Sequence, residues 1–373
     1  GNTAMHWQTL EQGFIRQQSP VARGTDIAVG PRLAVLPTGE VICSFMYSAQ
    51  TATNDFVPAL ARSSDHGRTW TEPVRVWPQL SSQWSIFAAI SRDPYSGKLF
   101  LYGTRTVIDV PGESNWSTVT LGLKANELIW SSSSDDGHTW SEPNVIAMPI
   151  PGSAEAPGPL CVTRTGRWLA CYSPGNTFDP NLKVDHSQVV VIYSDDQGQS
   201  WRHTSMLRFA SPTSCGAEAW IIELTDGRLL GTCWQVAAAG GELPNAYALS
   251  YDGGTTWTPT TSTEIMGQTT ALASLPDGRA LFLYNQRKHG DPGVRLAVVR
   301  PTDTHFGVEH DDYLWRAETR TQTASSGNLS EWSDFSFGEP SIARLHDGTW
   351  LAAIWCIQPS GSGIRYVKLK LVL

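Results

Sequence analysis

The chain has 373 residues, 40% of them apolar and 17% charged, with a formal net charge of −8. That balance builds a sizeable core and excludes a disordered polymer, and the negative sign argues against a nucleic-acid partner and an anionic membrane surface. No run of 18 apolar residues occurs, so no membrane span is expected, and the opening Gly1-Asn2-Thr3-Ala4-Met5-His6 lacks the charged-then-apolar pattern of a secretory leader.

In chain order, residues 6–17 read as a first strand. Six hairpins follow, each an apolar stretch, a Gly turn and a second apolar stretch, at residues 31–39, 86–97, 160–166, 221–227, 271–278 and 341–348. Interleaved with them, the pattern S-x-D-x-G-x-[ST]-W occurs four times. It comprises Ser63/Asp65/Gly67/Thr69/Trp70, Ser133/Asp135/Gly137/Thr139/Trp140, Ser194/Asp196/Gly198/Ser200/Trp201 and Ser250/Asp252/Gly254/Thr256/Trp257. Successive aspartates lie 70, 61 and 56 positions apart, room for one four-stranded sheet each. The motif's chemistry is structural: Asp accepts backbone N–H groups across a tight turn, Gly supplies positive φ, the hydroxyls close the turn and Trp packs beneath. Segments 105–124 and 301–328 read as long loops. The closing strand, residues 364–373, pairs with residues 6–17. Six hairpins without helical periodicity give one all-β domain over 1–373, a six-bladed β-propeller whose N- and C-terminal strands close the ring.

The six cysteines, at 43, 161, 171, 215, 233 and 356, show no metal-ligand spacing and read as buried free thiols. No metal or cofactor is expected. Most of the 16 tryptophans read as wedges between sheets, and Trp84, Trp220 and Trp234 double as candidate sugar-stacking walls.

The four repeated turns resemble the Asp boxes, or BNR repeats, of the sialidase-like (neuraminidase) superfamily, and the resemblance covers most of the chain. It implies a peripheral, non-catalytic place for the boxes and a substrate site on the face where the innermost strands begin. The residues at those heads are Asp26 with Arg32, Gln83 with Trp84, Glu155, Glu218, Gln268 and Glu339. Three glutamates around one axis push at least one carboxyl pKa upward, as a general acid requires.

A sialidase site, as the resemblance implies it, holds an arginine triad for a sugar carboxylate, an acid/base aspartate and a tyrosine nucleophile assisted by a glutamate. Arg32 matches the first arginine, Asp55 falls where the acid/base would, and Glu218 in Glu218-Ala219-Trp220-Ile221-Ile222-Glu223-Leu224 is similar to the family's glutamate run. The second arginine is missing from 230–235, the third is Arg287 or Arg295, and Glu339 stands in the tyrosine's slot. Exo-arabinanase-like hydrolases, similar in fold, use two glutamates from neighbouring blades, which maps onto Glu155 and Glu218. The expectation is an exo-acting, retaining glycosidase releasing a terminal sugar from an oligosaccharide or glycoconjugate. Glu218 is its nucleophile, Glu155 its acid/base and Glu339 a further carboxylate. An altered exo-α-sialidase and a non-catalytic glycan- or protein-binding propeller are the alternatives. A secreted or periplasmic setting is favoured over a cytoplasmic one. His289 and Asp291 are assigned to a loop tip without a role.

Overall fold

The computed structural model describes residues 4–18, 27–237, 241–322 and 334–373. Six antiparallel sheets are arranged as blades, each running outward from an innermost strand. Blade one comprises Ile27–Val35, Val41–Ser48, Val57–Ser63 and Val74–Arg75, and blade two Trp84–Arg92, Leu99–Val107, Glu127–Ser133 and Asn144–Ile146. Blade three begins with a split inner strand, Ser153–Glu155 and Cys161–Val162, then adds Trp168–Gly175, Gln188–Ser194 and Arg202–Arg208. Blade four is Cys215–Glu223, Leu229–Val236, Ala246–Ser250 and Thr261–Ser262, and blade five Gln268–Ser274, Ala280–Gln286, Gly293–Val299 and Val308–Arg316. Blade six takes Phe337–Arg344, Trp350–Gln358 and Gly361–Val372 from the end of the chain, and His6–Gln18 from its beginning.

That last sheet closes the ring as the terminal strands suggested, in antiparallel register from His6 opposite Val372 to Gln18 opposite Ser362. The buried Lys368 staples it to blade one, donating to His66 O at 2.7 Å and to Asp347 at 2.8 Å. Segment 301–328 differs from the loop expected of it. Val308–Arg316 is the outer strand of blade five, paired with Gly293–Val299, and residues 323–328 lie outside the described residues. Its polar sequence misleads because an outermost strand covers its neighbour on one face only and leaves the other wet. In segment 105–124, Arg105–Val107 completes a blade-two strand, and Trp116–Ser117 pairs with Gly122–Leu123 in a small hairpin.

The apolar faces of neighbouring blades meet as wedges. Between blades two and three, Trp168 packs edge-on against Phe100 and Trp130 at centroid distances of 4.7 and 5.1 Å. Between blades four and five, Phe306 packs on both Tyr247 and Phe282 at 5.0 Å. Each such pair adds about 0.5–1.5 kcal/mol beyond the area it buries. All six cysteines are free thiols, four of them buried. No helix among the described residues is long and apolar enough to cross a membrane.

The four Asp boxes join the third and fourth strands of blades one to four. In the first, Asp65 accepts from Ser63 Oγ at 2.8 Å, Thr69 N at 2.9 Å and Thr69 Oγ1 at 2.6 Å, and Trp70 Nε1 donates to Gly67 O at 2.8 Å. The residue before each Gly is left-handed too, with φ of 59° at His66, 60° at Asp136, 57° at Gln197 and 72° at Gly253. Two successive left-handed residues match the right-handed twist of the flanking strands.

Candidate active site

Innermost strands carry the site, and most are irregular at the same level. Ladder pairing breaks at Val29/Arg32 in blade one, Ala217/Trp220 in blade four, Gln268/Thr270 in blade five and Gly338/Ser341 in blade six. Blade three's inner strand is split between Glu155 and Cys161, while blade two pairs without a shift from Trp84 to Arg92. A bulge inserts residues, bends the strand and re-aims a side chain. In blades one, four and six the first bulged residue is left-handed: Gly30 at φ 69°, Glu218 at 55° and Glu339 at 46°.

Glycine adopts that conformation freely, and at Gly30 it is also demanded by space, since a Cβ there would meet Met46 Cε at 2.4 Å. Glutamate adopts it at a cost of about 1–3 kcal/mol, which packing elsewhere must offset. Two glutamates in matching strained positions are therefore placed by the fold against their own preference.

The bulges bring Glu155, Glu218 and Glu339 together with Arg32 and Arg287. Glu155 accepts the Glu218 backbone N–H, at 2.8 Å through Oε2 and 3.2 Å through Oε1. Arg32, 2% exposed, lies 3.8 Å from the Glu339 carboxylate, whose side chain is 15% exposed. Its other donors go to backbone carbonyls: Nε to Pro157 O at 3.0 Å, Nη1 to Pro31 O at 2.8 Å and to Glu339 O at 3.0 Å. The guanidinium also lies 4.9 Å from the ring centre of Trp220. Pro157 sits in the break of blade three, so the irregularity that delivers Glu155 also supplies an acceptor for Arg32.

Arg287, 5% exposed, donates Nε and Nη2 to Phe337 O and Nη1 to Gln268 Oε1 at 3.0 Å, and its face lies 3.7 Å from the Phe335 ring centre. Gly338 leaves it room, since a Cβ there would meet Arg287 Nη2 at 2.4 Å.

Burial is the largest influence on all three carboxyls and drives each upward. Glu155 reaches about 7, with Glu339's charge adding to the rise and the Glu218 N–H and Arg32 restraining it. Glu218 stands well above the usual carboxylate range, because Glu155 and Glu339 reinforce burial and the two arginines only partly oppose it. Glu339 is raised as well, but Arg32, Arg287 and the Trp355 indole all pull it back. The three titrate as one set. Arg287 is lowered to about 10 by burial, against the pull of Glu218, Glu339 and Glu242.

The remaining sequence candidates divide. Trp220 is a core residue beneath Arg32. Trp234 is half-buried and pairs with Ala217 beside Glu218, its indole nitrogen buried without a hydrogen-bond partner among the described residues. Trp84, at the head of blade two, lies under Arg105 with the cation 4.0 Å from its ring centre. Asp55 is held inside its own turn, accepting from Ser48 Oγ at 2.8 Å, Ala49 N at 3.0 Å and Thr53 Oγ1 at 2.6 Å. Arg295 is not in the cluster. It pairs with Asp311 at 3.0 Å and stacks on Tyr313 in the outer half of blade five, because its strand is the third of that blade. Asp26 lies outside the described residues. Sequence reasoning missed Trp355 and Glu242, which belong to second-strand and hairpin positions and carry no head-of-strand signal. No group of three or more His, Cys, Asp or Glu able to hold a metal ion occurs among the described residues.

The model of the BNR repeat-like domain matches residues 60–310. This chain belongs to that family. A curated relative, the anhydrosialidase of Macrobdella decora, is 24% identical over 191 residues, which is 50% of this chain and 23% of that protein. Among solved structures, a Dyadobacter fermentans protein of unknown function superposes with a TM-score of 0.74 at 19% identity, covering 98% of this chain and 99% of its own. The α-L-arabinanase of Penicillium chrysogenum superposes at 0.59 with 15% identity, covering 97% and 98%. These likenesses establish a fold shared with sialidases and an arabinanase, and fold alone does not assign chemistry.

Proposed function

We propose that this BNR propeller is an exo-acting glycoside hydrolase for a neutral terminal sugar. The observation that carries the reading is the axial cluster itself: three carboxyls from three blades, pushed upward together, beside two guanidiniums already committed to protein acceptors. A binding module gains nothing from crowding acids that raise one another's proton affinity, whereas glycosidic cleavage needs one protonated and one ionised carboxyl in the same pocket.

Glu218, its proton affinity raised by burial and by the charges of Glu155 and Glu339, serves as the general acid, donating to the departing glycosidic oxygen. Glu339, balanced by Arg32 and Arg287, is the carboxylate that faces the developing positive charge at the anomeric carbon and attacks it. Water then displaces the sugar from Glu339, giving up a proton to Glu218, so that configuration is retained. Glu155 orients the strained Glu218 backbone and raises its proton affinity. These roles differ from those that position along the chain suggested, because burial and charge, not order in sequence, decide where the proton resides.

Arg32 and Arg287 are buried, with Nε and Nη1 of the first and Nε, Nη1 and Nη2 of the second already given to protein acceptors, so neither offers the free pair of donors that bidentate clamping of a substrate carboxylate calls for. Partners are accordingly neutral oligosaccharides or glycoconjugates. A panel of aryl glycosides, sialoside included, tests the reading on the wild type and on Glu218→Gln. Release from a neutral glycoside, abolished in the variant and with the first-formed anomer retained, is the expected result. Release from the sialoside overturns the neutral-sugar assignment. No release from aryl or natural oligosaccharides, with sugars bound all the same, replaces the enzyme with a binding module.

A further inference from the structure

Arg287 is tied to the surface by a chain of side chains. Its Nη1 donates to Gln268 Oε1 at 3.0 Å, and Gln268 is 2% exposed, so water has little access to that amide. Gln268 Nε2 in turn donates to Glu242 Oε1. The Glu242 side chain is 9% exposed; its second oxygen meets His289 Nε2 at 2.7 Å, and Lys288 Nζ lies 3.8 Å from the first. Glu242 belongs to the blade-four hairpin, bridged to Val236, whereas Gln268 heads blade five and Arg287 follows that blade's second strand. The chain of contacts thus crosses from one blade to the next and ends on the guanidinium that balances Glu218 and Glu339.

An amide has an oxygen end that only accepts and a nitrogen end that only donates. Turned the other way, Gln268 would set N–H against N–H at Arg287 and oxygen against oxygen at Glu242. Arginine has no acceptor and an ionised carboxylate no donor, so each end excludes the reversed amide. Arg287 constrains only the oxygen end of the amide, through Nη1, its Nε and Nη2 going to Phe337 O. Glu242 supplies the second constraint.

We propose that Glu242 is a positioning residue: through the Gln268 amide it holds the Arg287 guanidinium where it balances the axial glutamates. The consequence for catalysis rests on the glycosidase reading; the positioning does not.

The test uses the full chain with 15N-labelled arginine, the Arg287 Nε–Hε signal being assigned by its loss in Arg287→Lys. In Glu242→Leu the Arg287 signal shifts or broadens, and kcat on the released neutral glycoside falls at least about tenfold with KM changed less than about twofold, as expected for a misplaced charge beside the reacting groups. Glu242→Gln keeps an oxygen acceptor for the amide and brings both readouts back toward wild type. Gln268→Met, which removes the amide at similar volume, reproduces Glu242→Leu and covers the case in which that variant does not fold. An unmoved Arg287 signal in the Leu or Met variant overturns the proposal. So does a Glu242→Gln variant as impaired as Glu242→Leu, since charge rather than amide orientation would then be the cause. A shifted signal in a protein that cleaves no sugar supports the positioning and removes only the glycosidase reading.

Discussion

Carboxylates at the rim of this propeller and carboxyls at its axis have the same chemistry and opposite surroundings. At the rim, the hydrogen bonds from Ser200 and Ser194 hold Asp196 at about 2; at Asp65, burial pushes upward but the bonds from Thr69 and Ser63 prevail and hold it at about 2 as well. Asp196 is exposed and Asp65 half-buried, and each is supplied with donors that favour its charged form. At the axis, burial dominates, donors are few, and Glu155 is raised to about 7. A satisfied carboxylate fixes a turn, whereas one deprived of solvent and donors keeps its proton available for transfer. The comparison also separates two kinds of left-handed backbone. In the Asp boxes it recurs because the hairpin twist calls for it; at Glu218 and Glu339 it is imposed by a bulge on residues that do not favour it.

The comparison breaks most visibly at Glu218. Glu218→Gln keeps the shape and removes the transferable proton, so glycoside release drops about 10²–10⁴-fold while the melting temperature stays within a few degrees. Unimpaired release would assign the acid elsewhere. Next in size is Arg32→Leu, which leaves Glu339 without its nearest countercharge and three backbone carbonyls without their donor. Its expected cost is about 3–5 kcal/mol, read from denaturant unfolding. A loss below about 1 kcal/mol would show that the pair is not integral to the axis.

Removing a rim carboxylate has the reverse profile. Asp65→Ala lowers the melting temperature by a few degrees and leaves release per folded molecule unchanged. A fall in turnover at constant stability would take the Asp boxes out of the purely structural class.

The pH dependence sharpens the contrast because the two regions have opposite signs. Glu155 is raised from 4.5 to about 7 on folding, so the folded chain keeps a proton that the unfolded chain releases. Its contribution to stability is complete below about 4.5 and is lost as pH rises through 7. Asp65 is lowered from 3.8 to about 2, so its contribution is present above about 4 and is lost as pH falls toward 2. Thermal melts across this range should lose slope between pH 4.5 and 7 in Glu155→Gln, and below pH 4 in Asp65→Asn. Wild-type slopes in both variants would refute the assignment. The smallest effect belongs to Arg295→Gln, whose partly exposed pair with Asp311 contributes about 1 kcal/mol or less and whose loss leaves turnover intact.

By itself the sequence determined the architecture. Ser63, Asp65, Gly67 and Trp70 and their three repeats are local devices, legible because the side-chain hydrogen bonds that make the turn lie within a few residues. The six Gly-turn hairpins and the terminal strands are legible for the same reason, as period and turn chemistry do not depend on distant neighbours. It also named Glu155, Glu218, Glu339 and Arg32 through their places at the heads of inner strands, and Arg287, as one of two candidates for a third arginine, through the family resemblance. Only the tertiary structure decided what those residues are to one another. Bulges at Gly30, Glu218 and Glu339 cannot be read from composition, and they turn strand heads into one cluster. Arg295 and Arg287 look equivalent along the chain, yet the third strand of blade five carries one outward to Asp311 and the end of the second brings the other to Phe337 O. Glu242 and Trp355 had no pattern to reveal them, since Gln268, which Glu242 accepts from, and Glu339, whose proton affinity the Trp355 indole lowers, belong to other strands. Desolvation, the largest influence on the axial carboxyls, belongs to the assembled ring, because no single blade excludes water from its own edge.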